Sequence, residues 1–275
     1  MASTQNRPVR IGVQIAPQHV PYEVIRDTLA EIEDLGVDVA FNWDHFFPLS
    51  GDPEGTHFEG WSMLAAWAEQ TSRIQFGPLV TCNSYRNADL LADMARTVDH
   101  ISAKGAEGRL IFGIGSGWFE RDYDEYGYDF GTVGTRLDAL SEALPRIEAR
   151  WAKLTPQPTR DIPVLIGGGG EKKTLRMVAQ HADIWHSFSD VETLERKLGV
   201  LDEWCAKLER DPAEIEISTG ASVRGLGDSS FAVLDAQYEL GARLFTLGIT
   251  GPDIDLAPVT ELLAWRDGKN EHATA

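Results

Sequence analysis

Short apolar runs alternate with segments whose apolar residues recur every three or four positions, and the alternation continues along the chain. Residues 9–15 read as a strand and 21–35 as a helix stopped by Gly36. Residues 37–43 form the next strand, followed by a long loop through Gly60 and a helix over 61–72. Strand 73–81 with helix 87–102 follows, then strand 108–115 with a helix over 136–152 after an irregular segment. The remaining pairs are 163–166 with 171–181, 182–187 with 191–210, 214–222 with 229–240, and 243–248 with 255–265. Eight such units predict one closed α/β domain, a (β/α)8 TIM barrel over residues 9–267. Residues 1–8 and the polar, frayed stretch 268–275 are its expected tails. In such a barrel, chemistry gathers where the strands end and the loops converge.

Three clusters fall at those ends. The first is IFGIGSGWFERDYDEYG over 111–127, where an apolar strand runs into small residues that let backbone approach a ligand closely. Gly115, Ser116 and Gly117 are candidate cofactor contacts, and an alanine at Gly117 is expected to obstruct the ligand more than the fold. A GxGxG run also punctuates turns that bind nothing, so its company matters.

The second cluster, Trp43-Asp44-His45, closes a strand and turns an imidazole and a carboxylate toward the barrel mouth. Histidine, with an ordinary pKa of about 6.5, suits proton transfer near neutrality, so His45 is a candidate acid or base. The competing role is a capping Asp44 beside a structural histidine. Trp43 and Phe46 are placed to wall a substrate pocket. Glu59 is a second candidate catalytic group, although a carboxylate just before Trp61 equally suits the start of a helix. The third cluster, Gly167 to Gly170 followed by Glu171, Lys172 and Lys173, offers flexible backbone and two lysines at a helix N-terminus, which suits phosphate. Between these clusters, Gly77, Pro78, Leu79 and Val80 predict a bulge near the end of an otherwise β-branched strand.

Composition narrows the classes. Acidic residues outnumber basic ones 43 to 25, for a formal charge of -18, which opposes binding to nucleic acid or an anionic membrane. The 2 cysteines exclude a disulfide framework, and reduced thiols in a cytoplasmic, soluble protein are the expectation. No segment approaches the roughly 20 apolar residues of a membrane span. No His/Cys spacing indicates a metal: His181 and His186 straddle a helix-to-strand junction. Ser116 sits in GSG, not in a G-x-S-x-G elbow.

WDHFFP at 43–48, GPLVTCNSYRNADLLADMARTVDHIS at 77–102, GRLIFGIGSGWFERDYDEYG at 108–127 and IPVLIGGGGEKKTLRMVAQHADIWH at 162–186 together resemble the luciferase-like monooxygenase superfamily, and within it the deazaflavin (coenzyme F-420)-dependent oxidoreductases. The resemblance implies a barrel holding a flavin or deazaflavin at the strand ends, with a non-prolyl cis peptide near Leu79-Val80 behind the ring. It assigns cofactor contacts to Asp44, Val80, Thr81, Asn83, Ser116 and Gly117, with Gly168, Gly169 and Gly170 near the phosphate. His45 matches a histidine with an active-site role in deazaflavin-dependent sugar-phosphate dehydrogenases. Those enzymes carry a glutamate where this chain has Trp118, which speaks against their reaction. Trp118 and Phe119 instead suit an apolar or planar substrate. The absence of a long insertion that would form a lid favours coenzyme F-420 over FMN. The expectation is therefore hydride transfer between the deazaflavin and a small organic substrate. An FMN-dependent monooxygenase and a non-catalytic cofactor-binding protein are the alternatives, and a homodimer is the expected assembly.

Overall fold

In the computed structural model, which describes residues 7–221 and 228–274, apolar runs form parallel strands buried on both faces, and amphipathic segments wrap them as helices. The chain order is β1 (Arg10–Ile15), α1 (Tyr22–Leu35), β2 (Val39–Asn42), α2 (Gly60–Gln70), β3 (Gln75–Pro78), β4 (Thr81–Cys82), α3 (Ala88–Ala103) and β5 (Phe112–Gly115). It continues with α4 (Glu120–Tyr126), α5 (Val133–Trp151), β6 (Val164–Gly167), α6 (Thr174–His181), β7 (Ile184–Ser187), α7 (Val191–Lys207), β8 (Glu216–Ala221), α8 (Asp228–Glu239), β9 (Ala242–Ile249) and α9 (Ala257–Thr274). Several helix starts are written in the sequence: the side chains of Glu59, Asn87, Thr132 and Asp190 accept from the first free N–H groups of α2, α3, α5 and α7.

The described strands form one sheet in the order β3-β2-β1-β9-β8-β7-β6-β5-β4. Its two ends are halves of a single interrupted strand. β3 pairs with β2, β4 pairs with β5, and the peptide Leu79-Val80 between them is cis, as the resemblance implies. A bridge between Phe76 and Leu110, with Ile111 N donating to Phe76 O at 2.8 Å, draws the edges together into a nearly closed barrel.

Strand alternation sorts the core into two layers. Residues such as Trp185, Ile166 and Phe112 pack outward against the helices, while Val39, Phe41, Ile111, Leu165, Ile184 and Leu244 fill the inside. Toward the strand ends the inward positions become small or polar: Gln14, Gly113, Gly115, Gly167, His186 and Ser218. That change of size opens the top of the barrel.

Four expectations need correction. The third strand is split, because its bulge turns the backbone away between Pro78 and Thr81. The segment read as irregular before residue 136 holds the short helix α4, closed by a left-handed Gly127, and α5 begins at Val133. The fourth strand is shorter than 108–115, since Gly108 and Arg109 are drawn into hydrogen bonds with Thr159 and with Ser102 and Thr71. The stretch from Gly268 is helical to Thr274: Asn270 clamps the backbone of Val9 through bonds of 2.7 and 3.0 Å, and Lys269 pairs with Asp235 at 2.7 Å. The expected tail over residues 1–6, Ala275 and the end of the expected strand at Ser222 lie outside the described residues. No helix among the described residues is long and apolar enough to cross a membrane.

Glycine admits the bulge. A Cβ on Gly113 would collide with the carbonyl of Pro78, and one on Gly77 with the carbonyl of Ile111. Gly113→Ala is therefore expected to destabilise the protein by roughly 1–3 kcal/mol through overpacking against fixed backbone. Urea unfolding reads this as a lower midpoint at unchanged slope, and an unchanged midpoint would show that the seam has room to move.

Candidate active site

Where β2 ends, Asp44 is almost fully buried, at 1% exposure, and its carboxylate is engaged on every side. Oδ2 accepts from Thr81 Oγ1 at 2.5 Å, from the Cys82 amide at 3.2 Å and from Arg86 Nη1 at 2.6 Å, while Oδ1 accepts from Arg86 Nη2 at 3.0 Å. The same guanidinium reaches Glu59 Oε1 at 2.6 Å. Burial works against the charge on Arg86, but the two carboxylates outweigh it and hold the guanidinium more firmly protonated than usual. Glu59 is likewise opposed by burial, yet bonds from Ser62 and Trp61 at the start of α2, with Arg86, keep its carboxyl below the ordinary range. These contacts make Asp44 and Glu59 ties between elements, and neither lines the cavity above the barrel.

His45, next along the chain, does line that cavity, which measures about 600 Å³. Its Nδ1 lies 2.7 Å from Asp122 Oδ2. Asp122 is wholly buried on α4 and is itself oriented by Tyr85, whose hydroxyl donates at 2.7 Å, and by the Phe46 amide at 3.1 Å. Burial pushes the Tyr85 phenol far above its usual range, so it remains a donor. The edges of Trp118 and Phe119 pack around the imidazole at centroid distances of 5.7 and 5.5 Å. With Nδ1 committed to a carboxylate, Nε2 is the nitrogen left to exchange a proton.

Trp43, Leu79, Val80, Thr81, Gly115, Ser116, Gly117, Trp118, Gly168 and Gly169 share the cavity wall with His45. Trp43 is fixed by its indole N–H, which donates to His57 Nε2 at 3.0 Å; desolvation, with His45 nearby, lowers the His57 pKa to about 4. Other expected residues lie elsewhere. Phe46 stacks on Tyr126 at 4.1 Å, Asn83 is buried in the turn after β4, and the Gly170 carbonyl accepts from Leu175 at 2.9 Å. Phe119 does not line the cavity and packs behind two residues that do, His45 and Trp118. Glu171 pairs with Arg196, Lys172 is exposed, and Lys173 pairs with Asp138 at 2.5 Å.

The glycines serve the fold as much as a ligand. Gly115 and Gly167 face the side chain of Val80, and Gly117, at φ +81°, would aim a Cβ at the Tyr123 hydroxyl and Cys82 Sγ. The expectation that an alanine at Gly117 would obstruct a ligand more than the fold meets a constraint within the protein itself, since the added Cβ would press on the buried Tyr123.

Several wall residues were not visible in the sequence reading. Lys197, from α7, brings Nζ over Gly169, 3.5 Å from Ser189 Oγ, with no carboxylate in ion-pair range among the described residues. Ser187, whose Oγ lies 2.8 Å from that of Ser189, and the exposed ring of Phe188 complete this end. Desolvation, with Arg196 adjacent, lowers the Lys197 pKa. The site thus has a cationic, hydroxyl-lined pole over the glycine loop and an imidazole-bearing, aromatic pole at His45. No group of three or more His, Cys, Asp or Glu among the described residues is placed to hold a metal ion.

The family model described as luciferase-like monooxygenase matches residues 6–224. An uncharacterized protein of Mycobacterium tuberculosis is 29% identical over 183 residues, covering 58% of this chain and 62% of that protein. An F-420-dependent glucose-6-phosphate dehydrogenase of Amycolatopsis mediterranei is 28% identical over 181 residues, 59% of this chain and 52% of its own length. The matches therefore span less than two thirds of these relatives. Among solved structures, an F-420-dependent secondary alcohol dehydrogenase in complex with an F-420-acetone adduct superposes with a TM-score of 0.79 at 15% identity, covering 93% of this chain and 98% of that one, a likeness of fold.

Removing Arg86 would strand the buried carboxylate of Asp44. Arg86→Met is expected to cost about 3–5 kcal/mol in urea unfolding, as breaking a buried pair typically does, with part of the loss recovered when Asp44→Asn is added. Equal stability of Arg86→Met and the native protein would remove the pair from its structural role.

Proposed function

Because the chain belongs to the luciferase-like monooxygenase family, we propose that it is an oxidoreductase using the deazaflavin coenzyme F-420 and a small organic substrate, with His45 moving the proton. The observation that carries this reading is the imidazole of His45 at the barrel mouth, held by a buried carboxylate 2.7 Å away and facing a cavity walled by backbone and aromatic rings. When bound, the coenzyme supplies hydride transfer.

The residues fit such a group. A planar ring has the Leu79-Val80 bulge as a wall, with the small residues Gly115 and Ser116 beside it. A phosphate has the close approach allowed by Gly169, the hydroxyl of Ser187 and the ammonium of Lys197, while the Gly168 amide is committed to the His186 carbonyl at 3.0 Å. The lysine assigned to the anion is thus Lys197, in place of Lys172 and Lys173, whose side chains are exposed. Trp43 and Trp118 border the space left for a planar or apolar substrate.

His45 acts at its Nε2. A carboxylate on Nδ1 fixes the ring's orientation and compensates the charge that appears when Nε2 gains a proton from the substrate. Asp122 is a positioning residue in this scheme. Glu59 takes no part, since its oxygens are committed to the start of α2 and to Arg86.

Titration of the protein with oxidised coenzyme F-420 and, separately, with FMN, followed by fluorescence, tests the cofactor. Tighter binding of FMN, with oxygen consumption on reduction, would replace this reading by a flavin monooxygenase. In the same assay, Lys197→Ala is expected to lose about 1.5–3 kcal/mol of cofactor affinity in a salt-dependent manner, while Lys172→Ala loses none. The reverse order would return the anion to the start of α6.

With a turned-over substrate, His45→Ala should keep cofactor affinity within a few fold and lose on the order of 10²–10⁴ in rate. Asp122→Asn should lose about tenfold or more in rate, because the ring loses the carboxylate that orients it. Native turnover in His45→Ala would assign the proton to water or another side chain.

A further inference from the structure

The polar side chains around the cavity are largely matched within the protein. Gln14 Nε2 donates to the Leu79 carbonyl at 2.8 Å, Thr81 bridges Trp61 and Asp44, His45 holds Asp122, and Ser187 meets Ser189. His186 is different. Alternation along β7 turns Trp185 out toward the helices and places His186 on the inward face, one step above Ile184, as part of the cavity wall. The side chain is 2% exposed, and its Nδ1 lies 2.8 Å from Ser218 Oγ on the neighbouring strand β8. Its Nε2 is buried with no hydrogen-bond partner. A buried ring nitrogen without a partner is unfavourable, and native structures rarely keep one unless something else meets it.

We propose that His186 is a ligand-binding residue, whose Nε2 makes a hydrogen bond to a neutral amide or carbonyl group of the molecule occupying the cavity. The inference rests on the reading of that cavity as a cofactor site, and extends it to a wall that neither the glycine loop nor the His45 pole includes.

Three observations specify the ligand's chemistry at this point. Complete burial lowers the His186 pKa to about 4, so near neutrality the ring carries no charge and offers one N–H and one lone pair. Ser218 can donate to Nδ1 or accept from it, and so allows either tautomer. The ring of Phe188 packs edge-on with the imidazole at a centroid distance of 4.6 Å, and among the described residues no cation or carboxylate is hydrogen-bonded or ion-paired to it. The neutral ring supplies one donor or one acceptor and no countercharge, so it offers an ion no charge pair, whereas a neutral heterocycle with adjacent N–H and C=O groups is met in either tautomer. Lys197 takes the charge of the ligand, His45 its proton, and His186 one neutral polar edge.

Oxidised coenzyme F-420 and FMN, each titrated against the native protein, His186→Leu and His186→Gln, provide the test. The glutamine amide reaches the position of Nε2 and can replace its bond, while leucine cannot. His186→Leu is expected to bind about tenfold more weakly while the ligand-free protein melts no lower than the native one, and His186→Gln is expected to recover most of the affinity. The Nε2 resonance of His186 in 15N spectra should also move when the ligand is added to the native protein. Native affinity in His186→Leu, or an Nε2 resonance that does not respond to the ligand, would overturn the proposal and leave His186 as a partner of Ser218 alone. Native protein that binds neither cofactor would overturn the cofactor reading and this inference with it, an outcome distinct from native binding that the variants leave unchanged.

Discussion

The carboxylate of Asp44 is the tie on which the top of the barrel depends. The strand that should close the sheet is broken after Pro78, and its second half resumes only at Thr81. Asp44 binds that restart directly, through Thr81 Oγ1 and the Cys82 amide, and is itself neutralised by Arg86 just beyond it. Because Arg86 also holds Glu59 at the start of α2, one buried guanidinium joins the end of β2, the resumed strand and the following helix. A lone carboxylate with this burial would be prohibitively costly, and the matched set makes it a rigid joint. His45 is the residue after Asp44, and Val80 the residue before Thr81. The placement of the His45 ring and of the Val80 wall in one cavity follows from the same joint.

Above the joint, the cavity results from a change in inward side chains. Leu165, Ile184 and Leu244 fill the barrel lower down; Gly167 and His186 stand one step above the first two and leave space. Large residues support the site from below, and small ones yield room to the bulge and to a ligand. The glycine run in β5 shows how these demands coincide. Gly113 accommodates the Pro78 carbonyl and Gly115 the Val80 side chain, so the residues that most suggest a ligand seat are also the ones without which the neighbouring strand could not bend.

This coincidence explains what was legible in the sequence. The α/β alternation was readable because parallel strands covered on both sides are apolar throughout and the helices carry their own caps at Glu59, Asn87, Thr132 and Asp190. The bulge announced itself as proline and glycine within a β-branched run. Pairings across the barrel were not readable. Asp122 lies 77 residues from His45 in a stretch that has no long amphipathic repeat, and only the fold brings the two together. Lys172 and Lys173 follow the glycine loop in sequence, but their side chains turn outward, whereas Lys197 reaches over the loop from the next helix. The polar tail after Gly268 looked unstructured because its anchor, the backbone of Val9, stands at the opposite end of the chain.

The two histidines of the cavity carry contrasting partners, and the contrast defines what each wall can do. His45 faces a buried carboxylate, a partner able to compensate a proton that arrives on the ring, and its packing against Trp118 and Phe119 leaves it 7% exposed at the mouth. His186 faces a hydroxyl and a phenyl edge, neither of which can compensate charge, and it is buried more deeply. A proton placed on His186 would remain uncompensated in a low-dielectric wall, which keeps that ring neutral. The same side chain therefore stands twice at the top of one barrel, once beside a buried carboxylate and once beside a neutral hydroxyl. The difference is made by the opposing residue, Asp122 in one case and Ser218 in the other.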